Sequence, residues 1–393
     1  MSRGRFHATI DTPLPTIFPM KPHDVQVRGA GLVGQALALS LARIGLRVAL
    51  VADASSGPAR AVDVRAFALN AASIALLRSL KVWDALPPHA TTAVHDMHVE
   101  GDAPGAALDF SSWEQHVGEL AWIVDAAVLE RELAAAVRFS PHISLVADGS
   151  AEAAAAPLAA ICEGKGSATR DARHVPNDRR PYAQRAIAAR LVSDRPHAGV
   201  ARQWFRSPDV LALLPFDAPS PAASYALVWS LPDAKADELL ALGDSAFTEA
   251  LMQATGGAAG VLQLASERAV WPLMRAQTGQ WCGEGWVLLG DAAHAVHPLA
   301  GQGLNLGLAD VAALTRVLES REPWRSLGDP KLLRRYARER LTPTRAMVEI
   351  TDSLLHLFAH TAPGIRELRN RGLTLVNRAT PLKRWLTARA LDS

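Results

Sequence analysis

Cysteine is nearly absent: Cys162 and Cys282 are the only two in 393 residues. They form neither a metal-ligand spacing nor a disulfide framework, which points to a reducing compartment and a cytoplasmic protein. A surplus of charge of one sign is missing too. The 41 basic and 39 acidic residues leave a net charge of +2, which excludes the clustered basic excess of a nucleic-acid binder. The densest basic run, KLLRRYARER over 331–340, reads as a solvated helix face. Long apolar runs are lacking; Arg43 and Arg47 interrupt the longest, so no transmembrane helix is expected. The first twenty-odd residues hold Pro13, Pro15 and Pro19 and no apolar stretch of the signal-peptide kind. Residues 1–23 are therefore expected to be a tail, or an over-extended start with Met20 as the true first residue. No internal repeat is visible. Apolar residues are plentiful: 49% of the chain is hydrophobic, enough for the core of one large or two smaller domains.

The segment DVQVRGAGLVGQALALSLARIGLRVALVAD, Asp24 to Asp53, reads as strand, tight turn, helix and strand. Val25 and Val27 open it. Leu37, Leu41 and Ile44 give the helix one apolar stripe, and Gly45 is placed to end it. RVALVA is continuously apolar, as buried parallel strands are. Gly29, Gly31 and Gly34 stand in G-x-G-x-x-G order where the strand turns into the helix, the context that gives this motif meaning. Gly29 suits the tight turn, Gly31 lets backbone approach a pyrophosphate at the positive end of the helix, and Gly34 permits close helix–strand packing. Packing alone would also account for all three.

GDAAHAVHPLAGQGLNLGLAD, Gly290 to Asp310, cannot be ordinary core. WVLLGD before it is a buried strand, which puts Asp291 at the carboxyl end where open α/β sheets bind ligands. GLNLGLADVAALTRVL after it is a helix with Leu304, Leu308, Val311 and Leu314 on one stripe. The loop between them strips away side chains, so backbone N–H groups can face a flat ligand, with the helix dipole favouring negative charge there. Asp291 suits ligand hydroxyls or a plain helix cap. His294 and His297, taken singly, suit packing with a satisfied ring nitrogen.

These residues carry a resemblance. The 290–310 stretch resembles the second FAD-binding motif of class A flavoprotein aromatic hydroxylases, and more narrowly that of the ubiquinone-biosynthesis hydroxylases. The likeness runs from Asp24 nearly to the end, through DVRAFALN (63–70), RPHAGVARQWFRSPDVLALLPF (195–216) and LFAHTAPGIRELRNRGLTLVN (357–377). It implies an α/β fold: a Rossmann-like FAD-binding domain with an inserted, mostly antiparallel β substrate domain and C-terminal helices. The FAD-binding domain is expected over 24–90, 118–172 and 272–340, the substrate domain over 91–117 and 173–271, and the helical segment over 341–393. It implies an FAD monooxygenase that uses NAD(P)H and O2, through a flavin C4a-hydroperoxide, to hydroxylate the ring of a prenylated phenol or quinol. By the same resemblance Gly29, Gly31 and Gly34 hold the pyrophosphate, Asp291 the ribityl chain, and Arg65 contacts the cofactor. Pro298 lies on the oxygen-reacting side, beside Gly301, Gln302, Gly303, Leu304 and Asn305. His297 is a candidate for deprotonating a ring hydroxyl, with packing as the alternative. A polyprenyl substrate implies a peripheral contact with the inner membrane or with a biosynthetic complex. The apolar Leu354, Leu355, Leu357 and Phe358 suit that contact, or simple core packing. No metal is implied.

Four features depart from the family pattern. Ala52 stands where an acidic residue binds the adenosine ribose, leaving Asp53 to act from the loop beyond. Glu163 and Gly164, in EGKGSATR, stand for an Asp-Gly pair; ADGS at 147–150 is a decoy with the wrong spacing to the next strand. The segment from Ser140 is short, with an alanine run in place of a β-meander. Ala126 replaces a polar residue, often Asn. Loss of a charge-assisted ribose contact costs about 1.5–3 kcal/mol, roughly ten- to a hundredfold in affinity. Two other readings follow: a diverged non-catalytic partner in a quinone-biosynthesis complex, and a hydroxylase of a soluble aromatic acid. The latter calls for an arginine or tyrosine clamp, and nothing in 185–230 singles one out.

Overall fold

The computed structural model describes residues 23–52, 63–102, 105–149, 156–297 and 301–359, with side chains to 353. The continuously apolar strands pair as buried parallel strands do. Strands β1 (Val25–Arg28), β2 (Val48–Ala52), β8 (Ile143–Ala147), β9 (Leu158–Ile161) and β17 (Trp286–Leu288) lie parallel in the order β8-β2-β1-β9-β17. Strand β16 (Cys282–Gly283) closes that sheet as an antiparallel hairpin with β17. Helices α1 (Leu32–Arg43), α4 (Ala126–Phe139), α8 (Gln302–Glu319) and α9 (Pro330–Ala359) belong to this half. Leu37 and Leu41 of α1, Leu133 of α4, Val311 and Leu314 of α8, and Leu332 and Tyr336 of α9 share one core with β1 and β17. Two smaller helices, α2 (Ala71–Ser79) and α5 (Ala168–Ala172), flank the sheet's carboxyl edge.

A nine-stranded sheet forms the other half. Its strands are β5 (Asp96–Glu100), β6 (Ala107–Ser111), β10 (Asn177–Ser193), β11 (Val200–Arg206), β12 (Asp209–Phe216), β13 (Ser224–Pro232), β14 (Leu262–Leu264), β15 (Ala269–Thr278) and β18 (His294–Ala295). All pairings in it are antiparallel except β5 with β11. One face packs on α6 (Asp233–Ala241) and α7 (Asp244–Thr255) through Trp204, Leu213, Trp229 and Phe247. Between the halves lies a three-stranded antiparallel sheet, β3 (Ala66–Leu69), β7 (Ala121–Asp125) and β4 (Thr91–Val94). The short α3 (Ser112–Gln115) leads from β6 toward β7.

Strand pairing moves three expected edges. Residues 91–94 pair with β7 in the three-stranded sheet and not with the large sheet. The large sheet runs past 272 to Thr278, because β15 stays in register with β10 that far. Helix α9 crosses 340 unbroken, with Pro343 inside it. The basic run at 331–340 is more than a solvated face: Leu332, Leu333 and Tyr336 are fully buried. The Tyr336 hydroxyl donates to the Leu288 carbonyl at 2.9 Å, and Arg340 also turns inward. Asp53, Met20, Pro298 and residues 360–393 lie outside the described residues, as do the side chains of 354–359.

Candidate functional site

Two helices begin at the carboxyl edge of the parallel sheet. At the first, β1 turns into α1 through Gly29, whose φ is +98° and whose N–H donates to the Val51 carbonyl at 3.0 Å. A Cβ on Gly29 would lie 2.5 Å from the Cys162 carbonyl oxygen, and one on Gly34 would lie 1.8 Å from the Gly29 oxygen. Backbone packs on backbone here, so neither position admits a side chain. Gly31, the N-cap of α1, has nothing within 4 Å of its would-be Cβ among the described residues. No side chain caps α1 and its first turn has no acidic residue, so its N–H groups are left for an anion.

The second helix, α8, begins at Gly301, which takes the left-handed conformation at φ +63°. It too has no side-chain cap and no acid in its first turn. Val33 of α1 wedges against it: a Cβ on Gly307 would stand 2.7 Å from Val33 Cγ2, and one on Gly290 3.3 Å. The two helix starts are therefore neighbours. Beyond its own helix, Gly303 faces open space among the described residues, with nothing within 4 Å of a Cβ. Gln302, Leu304 and Asn305 are buried, so from them only backbone is offered outward. The Asn305 side chain is fully engaged: Nδ2 donates to Ala68 O at 2.8 Å, while Oδ1 accepts from Asn70 N and Ser73 Oγ at 3.1 and 2.8 Å.

Asp310 holds this second start in place. It is fully buried; Oδ2 accepts from Gly290 N at 3.0 Å and pairs with His294 Nε2 at 2.7 Å, and Oδ1 accepts from Arg340 Nε at 2.7 Å. Burial works to raise its carboxyl, but His294 and Arg340 outweigh it and hold it below the usual range. His294 also stacks on Trp281, centroids 5.1 Å apart. Asp291, half-buried next to Gly290, makes no protein hydrogen bond among the described residues, which leaves its carboxylate for a ligand hydroxyl.

The loop after β9 completes the edge. Glu163 accepts from Arg28 Nε (2.9 Å), Thr169 Oγ1 (2.6 Å), Thr169 N (3.0 Å) and Ser167 Oγ (2.7 Å). These four bonds fill both its oxygens, so its carboxylate shapes the loop and presents Gly164, beside which a Cβ would find open space. Burial tends to raise the Glu163 carboxyl; the bonds from Thr169, Ser167 and Arg28 win and lower it. The passed-over Asp148 also pairs with Arg28, at 2.8 Å. Arg170, fully buried, donates to Ala292 O and Lys165 O, each at 3.1 Å, and so ties this loop to the Asp291 turn. Arg65 forks onto Asp63 with Nη2–Oδ2 at 2.6 Å, and its carbonyl accepts from Ala126 N at 3.1 Å.

His297 differs from His294. It is 1% exposed, and Nε2 meets Gln184 Oε1 at 3.3 Å. That acceptor assigns the ring proton to Nε2. Nδ1 has no partner. Tyr182 packs edge-on at 5.1 Å between centroids. Burial pushes the imidazole down to about 4, with the charge of Asp352 opposing. At neutral pH His297 is therefore uncharged and a weak base, suited to accept a hydrogen bond more than to remove a proton.

The structure thus gathers Gly29, Gly31, Gly34, Glu163, Gly164, Asp291 and Gly301–Asn305 at one sheet edge, with Arg65 in front of β3, near enough to Asp291 to feel its charge. Asp310, Arg340, Arg170 and Arg190 were not singled out by sequence. Asp310 and Arg170 sit inside the quoted motifs and Arg340 inside the basic run, but Asp310 meets Arg340 and Arg170 meets Ala292 across 30 and 122 residues. The donor set fits FAD: two adjacent uncapped helix starts, each with one open glycine, suit a diphosphate and the acceptor-bearing edge of a flat ring where negative charge gathers on reduction. Among the described residues, no cluster of three or more His, Cys, Asp or Glu could hold a metal.

The chain matches the FAD binding domain family over residues 23–144 and 133–351. It is 30% identical over 399 residues to the 3-demethoxyubiquinol 3-hydroxylase of Escherichia coli, covering 94% of this chain and 99% of that protein. It is 28% identical over 393 residues to the ubiquinone hydroxylase UbiL of Rhodospirillum rubrum, covering 95% and 90%. Among solved structures, Pseudomonas aeruginosa PqsL in complex with 2-aminobenzoylacetate superposes with a TM-score of 0.73 at 21% identity, over 90% of this chain and 100% of that one. Klebsiella pneumoniae HpxO with FAD and uric acid gives 0.71 at 17%, over 93% and 96%. The structural likenesses establish the fold.

Proposed function

The chain belongs to the FAD-dependent aromatic hydroxylases of the ubiquinone-biosynthesis family, and from that premise we propose that it hydroxylates the ring of a prenylated phenol or quinol. NAD(P)H is the reductant and O2 the oxygen source; one oxygen atom enters the ring and the other leaves as water. The names of the two hydroxylase relatives support the substrate class. The observation that carries the reading is the pair of open glycines, Gly31 and Gly303, at neighbouring uncapped helix starts.

Bound at this site, FAD would supply the redox chemistry that links NAD(P)H to O2. The protein's part is positional. The N–H groups at α1 hold the diphosphate, with Gly31 admitting it and Gly164 clearing the facing loop. Asp291 accepts from the ribityl hydroxyls. Arg65 stays charged through its fork with Asp63 and contacts the cofactor. The first turn of α8, Gly301 to Leu304, directs its N–H groups at the ring edge where negative charge gathers on reduction. His297 lies against β10 as a neutral acceptor for a ring hydroxyl, which it orients. Pro298, adjacent in sequence, is assigned the oxygen-reacting side. Glu163 and Asn305 act on the cofactor through the backbone that they hold.

The polyprenyl tail calls for contact with a membrane surface or a lipid-carrying partner. Among the described residues no helix is long and apolar enough to cross a membrane. The test is direct. Purified protein should carry a flavin spectrum near stoichiometric occupancy, or gain one on adding FAD. It should oxidise NAD(P)H faster with a prenylphenol and yield a product one oxygen heavier. Protein that remains colourless with excess FAD overturns the enzyme reading in favour of a non-catalytic partner.

A further inference from the structure

Arg190 belongs to β10 of the large sheet, but its guanidinium ends in the three-stranded sheet. Nη2 donates to the Arg65 carbonyl at 2.8 Å and to Asp125 Oδ2 at 3.0 Å. The group rests on the Phe216 ring, 4.0 Å from its centroid. The side chain is only 8% exposed, and Nη1 is buried without a hydrogen-bond partner among the described residues. A guanidinium is a planar fork of donors. Here one tine is engaged twice and the other is idle, although the aromatic face beneath partly compensates. Burial lowers its pKa, with Asp125 and then Asp63 opposing.

Its position gives the idle tine a meaning. Ala66 pairs with Asp125 and Ala68 with Ile123. Alternate residues of a strand share a face, so Ala66, Ala68, Ile123 and Asp125 look the same way, toward Phe216. Gly301 abuts that face as well, since a Cβ there would lie 3.3 Å from Ala68 Cβ. A strip of two alanines therefore runs from Arg190 to the first turn of α8. Its methyl groups leave it shallow enough for a flat ring to lie along it.

We propose that Arg190 keeps Nη1 for an acceptor oxygen on a ring bound along this strip, a flavin carbonyl or the ring oxygen of the aromatic substrate. The large sheet then supplies a recognition residue in the 185–230 stretch, where the sequence singles out none. The inference rests on the flavoenzyme reading and names a residue that reading lacks.

The experiment compares wild-type holoprotein with Arg190→Lys and Arg190→Gln. Lysine keeps a cation facing Asp125 but has no second tine; glutamine removes the charge. One arm measures FAD dissociation by flavin fluorescence and the shape of the bound-flavin spectrum. The other follows the change in that spectrum on titration with a short-chain 2-prenylphenol. Arg190→Lys should melt within a few degrees of wild type and still lose about tenfold in affinity in one arm. Loss of FAD affinity assigns the acceptor to the flavin; loss confined to the phenol arm assigns it to the substrate. Affinities within twofold of wild type in both arms, for Arg190→Lys alone if Arg190→Gln does not fold, overturn the proposal. A wild-type protein that binds FAD but does not respond to the phenol refutes the substrate reading and leaves the flavin arm to decide on Arg190.

Discussion

The two helix starts at the site look alike in sequence and are built differently. At α1 the turn is held by backbone against backbone: Gly29 lies on the Cys162 carbonyl and Gly34 on Gly29. At α8 the turn is held by a buried charge, Asp310, which gathers Gly290, His294 and Arg340. Each start leaves one glycine facing open space, Gly31 in one and Gly303 in the other. A count of glycines therefore says nothing about which of them serve packing and which serve a ligand. What a Cβ would meet separates them. The contrast also says how each start should fail: the first by steric conflict, the second by an uncompensated charge.

The largest effect is expected at the second. Asp310→Asn keeps the shape but leaves Arg340 and His294, which are 11% and 1% exposed at their side chains, without their carboxylate. Removing one partner of such a buried pair costs about 3–5 kcal/mol. Chemical denaturation should show that loss, and the purified variant should retain little flavin because the Asp291 turn loses its anchor. A midpoint equal to wild type would mean that the α8 start is held by packing, like the α1 start, and the comparison would collapse.

Gly34→Ala tests the first. The added methyl would lie 1.8 Å from a backbone oxygen that cannot swing away. The expected loss is about 3 kcal/mol, the upper end for overpacking, read as a lowered thermal midpoint or as insoluble protein. A fully stable Gly34→Ala would show that β1 and α1 can separate without harm, contrary to the contact described.

What could be read from sequence follows the same divide. The βαβ unit and the α8 helix are local, and their apolar periods name them. Asp310 was visible only as the last letter of a motif, because its partners His294 and Arg340 lie 16 and 30 residues away. The run holding Arg340 looks solvated since only every third or fourth residue turns inward. Strand β3 carries too few large apolar residues to announce itself, yet its two alanines make the strip beside Gly301. The step from one sheet to another between Val94 and Asp96 has no change of composition, so a boundary at 91 could not be refined. Arg190 sits in an alternating strand, where nothing local distinguishes a buried arginine from an exposed one.

The histidines sharpen the contrast under acid. His294 faces a carboxylate; His297 faces an amide and is held down to about 4 by burial. In the unfolded chain a histidine titrates near 6.5. Between those values the unfolded state binds a proton that the folded state refuses. The contribution of His297 to stability is thus complete above about pH 6.5 and is lost as the pH falls toward 4. His297→Gln cannot titrate, so its stability should stay flatter across this window, with the difference approaching about 3 kcal/mol at the acid end. Urea midpoints of both proteins at several pH values measure it. Parallel pH profiles would mean that His297 is not held neutral.

The smallest effects on stability, and the most informative ones, belong to the open glycines. Gly303→Ala places a methyl where, among the described residues and apart from the helix's own backbone and adjoining residues, no atom lies within 4 Å. Alanine suits that backbone better than glycine by about 0.5–1 kcal/mol, so the variant should be at least as stable as wild type. Gly31→Ala at the α1 cap should cost about 0.5–1 kcal/mol. Both methyls, however, occupy the space assigned to the cofactor. FAD affinity should fall about tenfold, or about 1.4 kcal/mol, with no matching fall in the apoprotein's thermal midpoint. A stable variant that binds FAD as wild type does would show that the ring or the diphosphate lies elsewhere. Gly31→Ala and Gly303→Ala test the two halves of the cofactor separately, so a loss in one alone would tell which helix start the flavoprotein reading has placed correctly.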